Sequence, residues 1–120
     1  METPQINMQD SPAVQRWLES LRKRGGEEIS LDDERVKLVK GFCEYVGKTP
    51  DEVVDYCWLR NRKDGLRSIS SKRRRETSEQ IEKYVKESGL TAYKATVAAN
   101  TIRSFLIHNG VFIAGAAFRG

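Results

Sequence analysis

Thr49-Pro50-Asp51-Glu52 is built to start a helix. A threonine hydroxyl can accept the amide three residues on, and a glutamate there can reach back to the threonine amide. Proline suits the first helical position, where its missing N–H is not needed. Comparable starts stand at Ser11-Pro12, at Ser30 ahead of Asp32, Asp33 and Glu34, and at Thr91. Glycine stops stand at Gly25-Gly26, Gly47, Gly89 and Gly110. Between them, apolar residues recur at spacings of three and four, as in Val14, Trp17, Leu18 and Leu21, or Val36, Val39, Phe42, Cys43 and Val46. The last and longest stripe is Ala95, Ala98, Ala99, Ile102, Phe105 and Leu106, whose alanines let a neighbouring helix approach closely.

Strand-like alternation is nearly absent, so the pattern predicts an all-α fold: a compact bundle of four to five short helices near 12–24, 31–46, 50–60, 73–88 and 92–109. Asn61–Ile69 reads as a loop turning at Asp64-Gly65. Trp17, Phe42, Trp58, Ile102 and Phe105 are the largest residues on their stripes and are expected to share one core, with Trp58 nearest its rim.

With 120 residues the chain is one domain's worth. Residues 1–10 carry no pattern and read as a flexible tail, 11–112 as the folded domain, and 113–120 as a second tail. The opening METPQINMQD is polar and is no secretory signal. The longest apolar run, Val111–Phe118, has eight residues, and a membrane span needs about 20. The expectation is a cytoplasmic chain with no membrane contact and with Cys43 and Cys57 reduced and buried.

No catalytic set and no metal or cofactor site is legible. His108 stands alone and suits a helix C-terminus, where a cation or cap is favourable. No phosphate-binding glycine loop is present. Charge is the positive signal. Glu27–Asp55 holds nine acids and four bases, a net of −5. Arg60–Arg75 holds Arg60, Arg62, Lys63, Arg67, Lys72, Arg73, Arg74 and Arg75 against one acid, Asp64, a net of +7. Such a split attracts a polyanion to one side of a domain. The last helix adds Lys94, Thr96, Asn100 and Arg103 opposite its alanine stripe, with no acid anywhere from Thr91 to Gly120. Lysine and arginine find phosphates, and asparagine and arginine can also read base edges. The partner these twelve residues predict is double-stranded DNA, with Asn100 the best candidate for an adenine edge. The competing expectation is a non-catalytic helical regulator or partner-binding domain whose basic loop is merely solvated.

Four segments in order, Trp17–Leu21, Val36–Val54, Ile81–Thr91 and Ile102–Gly110, carry a resemblance. Phe42 to Gly47-Lys48, the turn Lys86–Thr91 and the helix end Ser104–Gly110 resemble the N-terminal core-binding, SAM-like domain of phage-integrase-type tyrosine recombinases, its archaeal members in particular. The likeness covers about residues 12–112. Ser30, Asp33 and Val36 depart from the family pattern, Lys94 stands where the family commonly has threonine, and the Asn61–Arg75 segment is longer and more basic. The resemblance implies a helical clamp that grips duplex DNA near a crossover site. It also implies that the catalytic Arg/Lys/His/Arg/Tyr set belongs to a further domain, so that this polypeptide alone is no enzyme. Residues 111–118 are then a candidate contact with that catalytic domain or with another recombinase protomer.

Overall fold

The computed structural model describes residues 6–26 and 28–113. The fold is mainly helical, with α1 (Pro12–Gly25), α2 (Glu34–Val46), α3 (Pro50–Tyr56), β1 (Trp58–Arg60), β2 (Arg67–Ile69), α4 (Ser71–Glu87) and α5 (Ala92–Ile107). α5 packs on α2 and α4, and α1 on α3. Among the described residues no helix is long and apolar enough to cross a membrane.

The helix starts follow the side chains that cap them. Ser11 Oγ accepts the Val14 amide (3.2 Å) and donates to Asp51 Oδ2 (2.7 Å). Asp51 Oδ1 in turn accepts the Ala13 amide (2.9 Å), so one carboxylate on α3 also serves an amide at the start of α1 that has no partner within its own helix. Thr49 and Glu52 form the reciprocal box expected of them. At the other end of the chain, Asn109 Nδ2 donates to the carbonyls of Ala13 (3.0 Å) and Phe105 (2.9 Å), and its Oδ1 accepts from Arg16 Nε (2.8 Å). His108 is the C-cap of α5, as its position suggested, with Nδ1 donating to the Ser104 carbonyl at 2.8 Å.

Trp17, Phe42, Ile102 and Phe105 lie buried in one core, and Trp17 meets Phe105 edge to face at 5.6 Å. Trp58 is half-buried at the rim. Ala98 and Ala99 are buried where α5 meets its neighbours.

Five expectations need correction. The helix placed at 31–46 begins at Glu34, because Ser30 makes a turn, accepting the Asp32 amide on Oγ and the Asp33 amide on its carbonyl, and Asp33 is the cap. The helix placed at 50–60 stops at Tyr56, and the chain enters a hairpin instead of a loop. The cause is pairing: with Trp58 opposite Ile69, both side chains pack against the core. The fourth helix begins at Ser71, capped by Ser70, so the basic run is helix. Residues 6–10 are no loose tail: Ile6 and Met8 are buried beside a 3-10 turn, Met8–Asp10. Finally, Val111 and Ile113 fold back into the core, so the apolar run that suggested a docking tail is partly the domain's own interior. Residues 1–5 and 114–120 lie outside the described residues.

Candidate nucleic-acid interface

The hairpin and the first turn of α4 form one continuous basic element. The ladder pairs Trp58 with Ile69, Leu59 with Ser68 and Arg60 with Arg67. It is closed below by the Ser70 amide donating to the Cys57 carbonyl (2.8 Å) and above by the Asn61 amide donating to the Leu66 carbonyl (2.8 Å). The connecting loop is ordered by its own polar side chains. Asn61 Oδ1 accepts the Lys63 amide (2.8 Å) and Asp64 Oδ1 accepts the Leu66 amide (2.9 Å). Gly65 takes a left-handed φ of 71°, which a side chain would strain. Every residue from Leu59 to Ser68 is exposed.

Within this element the eight basic residues divide. Arg60, Arg62, Lys63, Lys72 and Arg75 are exposed and make no ion pair among the described residues. Arg67 is also exposed, but it lies 3.2 Å from Asp55 and over the Trp58 ring at 5.1 Å. Arg73 and Arg74 are half-buried and tied to the fold. Arg73 lies 4.9 Å from the centre of the Tyr56 ring and donates to the Tyr56 carbonyl, while Arg74 donates to the Phe112 carbonyl at 3.5 Å. Tyr56 in turn donates to Glu76, and that hydrogen bond raises the Tyr56 pKa.

Lys72, Arg73 and Arg74 stand in the first turn of α4, which contains no acid, and Arg75 follows just after it. The helix dipole presents partial positive charge there, so three cations are placed where helix electrostatics disfavour them. Packing accounts for Arg73 and Arg74. It does not account for Lys72 and Arg75.

The predicted α5 set does not join this element. Short connection Ser88–Thr91 folds α5 back antiparallel to α4, with Glu82 beside Arg103. Lys94 and Thr96 therefore lie at the far end of α4, whose 17 residues span about 25 Å. Arg103 is withdrawn altogether. It is 5% exposed, donating from Nη2 to Glu82 Oε2 (2.9 Å) and from Nη1 to Asn100 Oδ1 (3.0 Å). Asn100 is exposed, and its amide oxygen gives one of its two lone pairs to Arg103. Thr96 donates its hydroxyl to the Ala92 carbonyl (3.0 Å). The acid that pairs with Arg103 comes from α4, outside the acid-free stretch from Thr91 onward.

The remaining reactive groups are held inert. Cys43 and Cys57 are buried and unpaired by disulfide, and burial pushes the Cys43 thiol up to about 12. Among the described residues no cluster of three or more His, Cys, Asp or Glu is placed to hold a metal ion.

Sequence reasoning missed the surroundings of the arginines: Asp55 and Trp58 at Arg67, and Tyr56 at Arg73. Asp64-Gly65 between Trp58-Leu59-Arg60 and Arg67-Ser68-Ile69 carried a hairpin signal, a turn dipeptide flanked by strand-compatible residues. Comparison with protein-family models, characterised proteins and solved structures finds no match for the chain.

Proposed function

We propose that the chain is a non-catalytic module that grips double-stranded DNA, and that it serves as the core-binding, SAM-like domain of a site-specific tyrosine recombinase. The observation that carries the DNA reading is the set of five exposed, unneutralised cations along 60–75, one of them, Lys72, in the first turn of α4. Polyanion binding offsets both their mutual repulsion and the repulsion of Lys72 by the helix end. The recombinase assignment rests on the helix-and-turn resemblance alone.

Phosphate contacts supply affinity without sequence information, and each releases counterions. The isolated domain should bind duplex DNA with a dissociation constant of roughly 10⁻⁴ to 10⁻⁶ M, falling steeply in affinity as salt rises. Lys72→Ala/Arg75→Ala should flatten the slope of log affinity against log salt by about 1.8 units, at about 0.9 per lost phosphate contact. Fluorescence anisotropy with a labelled duplex across a salt series measures this. An unchanged slope would remove the first turn of α4 from the interface.

The partner-binding reading keeps one specific support. Tyr93 (78% exposed) and Val97 (45%) rim a groove of about 520 Å³ between α2 and α5 together with Leu90. Exposed apolar clusters of this kind mark protein contacts. Absence of salt-dependent DNA binding would give this reading the lead.

A further inference from the structure

The Leu59–Ser68 ribbon contributes little to the core, since all of its residues are exposed. Isolated two-stranded ribbons are marginal in water, yet this one is tightly specified. Trp58 and Ile69 anchor its base to the core, and hydrogen bonds from Asn61 and Asp64 order its loop. Each of those side chains gives one oxygen to the ribbon's own backbone, and the Asp64 carboxylate keeps its charge at the exposed turn. Beside it the tip presents Arg62, Lys63 and Leu66, the last 67% exposed. Lower down, Arg60 stands directly opposite Arg67. Like charges opposite one another destabilise an antiparallel pair. Asp55 partly relieves Arg67, whereas Arg60 makes no ion pair among the described residues.

We propose that this ribbon enters the major groove of B-form DNA, with Arg60, Arg62 and Lys63 on the flanking phosphates and Leu66 against base edges. The assignment rests on the DNA-binding reading above and adds the inserting element, the groove and the helical form it requires. The major groove of B-DNA, about 12 Å wide, admits a two-stranded ribbon, and the minor groove, about 6 Å wide, does not. The deep, narrow major groove of A-form RNA excludes it as well. Charge selects a polyanion, and ribbon width selects the B-form duplex. An apolar tip residue among cations finds a matching surface there, because thymine methyls line the major groove.

The test compares a labelled DNA duplex with an RNA duplex of the same sequence, using the full chain and anisotropy across a salt series. Arg62→Ala/Lys63→Ala should weaken DNA binding at least about tenfold at low salt and lower the salt slope by about 1.8 units, while leaving RNA binding unchanged. Leu66→Ala removes no charge; it should weaken DNA binding several-fold with the slope unaltered. Both variants change exposed residues and keep Asn61, Asp64 and Gly65, and far-ultraviolet circular dichroism checks that the fold is retained. Equal losses on DNA and RNA, or wild-type affinity in the Leu66 variant, would overturn insertion. So would wild-type DNA binding by Arg62→Ala/Lys63→Ala alongside loss in Lys72→Ala/Arg75→Ala, and the DNA-binding reading would then survive. No salt-dependent binding of either duplex by the wild type would overturn both.

Discussion

Gly41 lies inside α2, where glycine costs about 0.5–1 kcal/mol relative to alanine in a helix. Its place follows from Tyr84 on α4. A Cβ added at Gly41 would collide with the Tyr84 phenol oxygen, while the ring carbon behind that oxygen stays at ordinary contact distance, 3.5 Å. The ring itself is held against Phe42 (5.8 Å between centroids) and Tyr45 (5.2 Å), which limits its retreat. Gly41→Ala should therefore destabilise the wild type, by about 1 kcal/mol, the usual scale of a single-residue effect. In a Tyr84→Phe background the same change should stabilise by about 0.5–1 kcal/mol, the helix-propensity gain alone. Urea unfolding of the four proteins in the cycle measures the coupling. The same sign in both backgrounds would show that the hydroxyl is not the obstacle. Arg103 teaches a related lesson: a single partner on another helix, Glu82, turns a candidate base-reading residue into an interior strut.

At the scale of elements, caps decide where each helix begins. Asp33 accepts the Arg35 amide on Oδ1 (2.8 Å), and both of its oxygens pair with the Arg35 guanidinium. The guanidinium hydrogen bonds first, and the backbone bond second, hold its carboxyl at about 2, below the ordinary 3.8. Because the folded value is the lower one, the stabilisation is complete above the unfolded pKa and is lost as pH falls from about 4 towards 2. Asp33→Asn keeps a good capping side chain and removes the charge. Thermal melts from pH 7 to pH 2 should show the variant less stable near neutrality and the difference closing below pH 4. A difference that stays constant with pH would mean that the charge contributes nothing. Ser70 joins two elements at one residue: its amide closes the hairpin on Cys57, and its Oγ accepts the Arg73 amide (3.2 Å) to start α4. The ribbon and the basic first turn are thus set in fixed relation to each other.

At the scale of the whole molecule, α5 is the axis of the core. Phe105 is 1% exposed and packs edge to face on Trp17, whose indole N–H donates to Ser104 Oγ at 3.2 Å. Phe105→Ala should cost about 3–5 kcal/mol, the usual loss for emptying a packed aromatic site. That is a large part of the roughly 5–15 kcal/mol stability of a typical domain. Urea denaturation measures it, and a loss below about 1 kcal/mol would mean that the surrounding side chains collapse into the space.

Helix number, the buried faces of α1, α2 and α5, and the capping box at Thr49 were determined by local sequence, because caps and apolar period act within a few residues of one another. The charge run at 60–75 was equally legible, since composition alone reveals it. Tertiary structure decided the rest. Three-residue strands have no period to read, and they exist because Trp58 and Ile69 meet across the ladder on the edge of the core. Ile6 and Met8 gained a role only when the folded helices offered them apolar surface. The antiparallel return of α5 separated Lys94 from the basic hairpin and buried Arg103 against Glu82. A chain read one residue at a time shows which side chains carry charge. Packing decides which of those charges remain in water, because desolvating an unpaired cation costs more than folding can supply, whereas a partner brought from another helix makes burial possible.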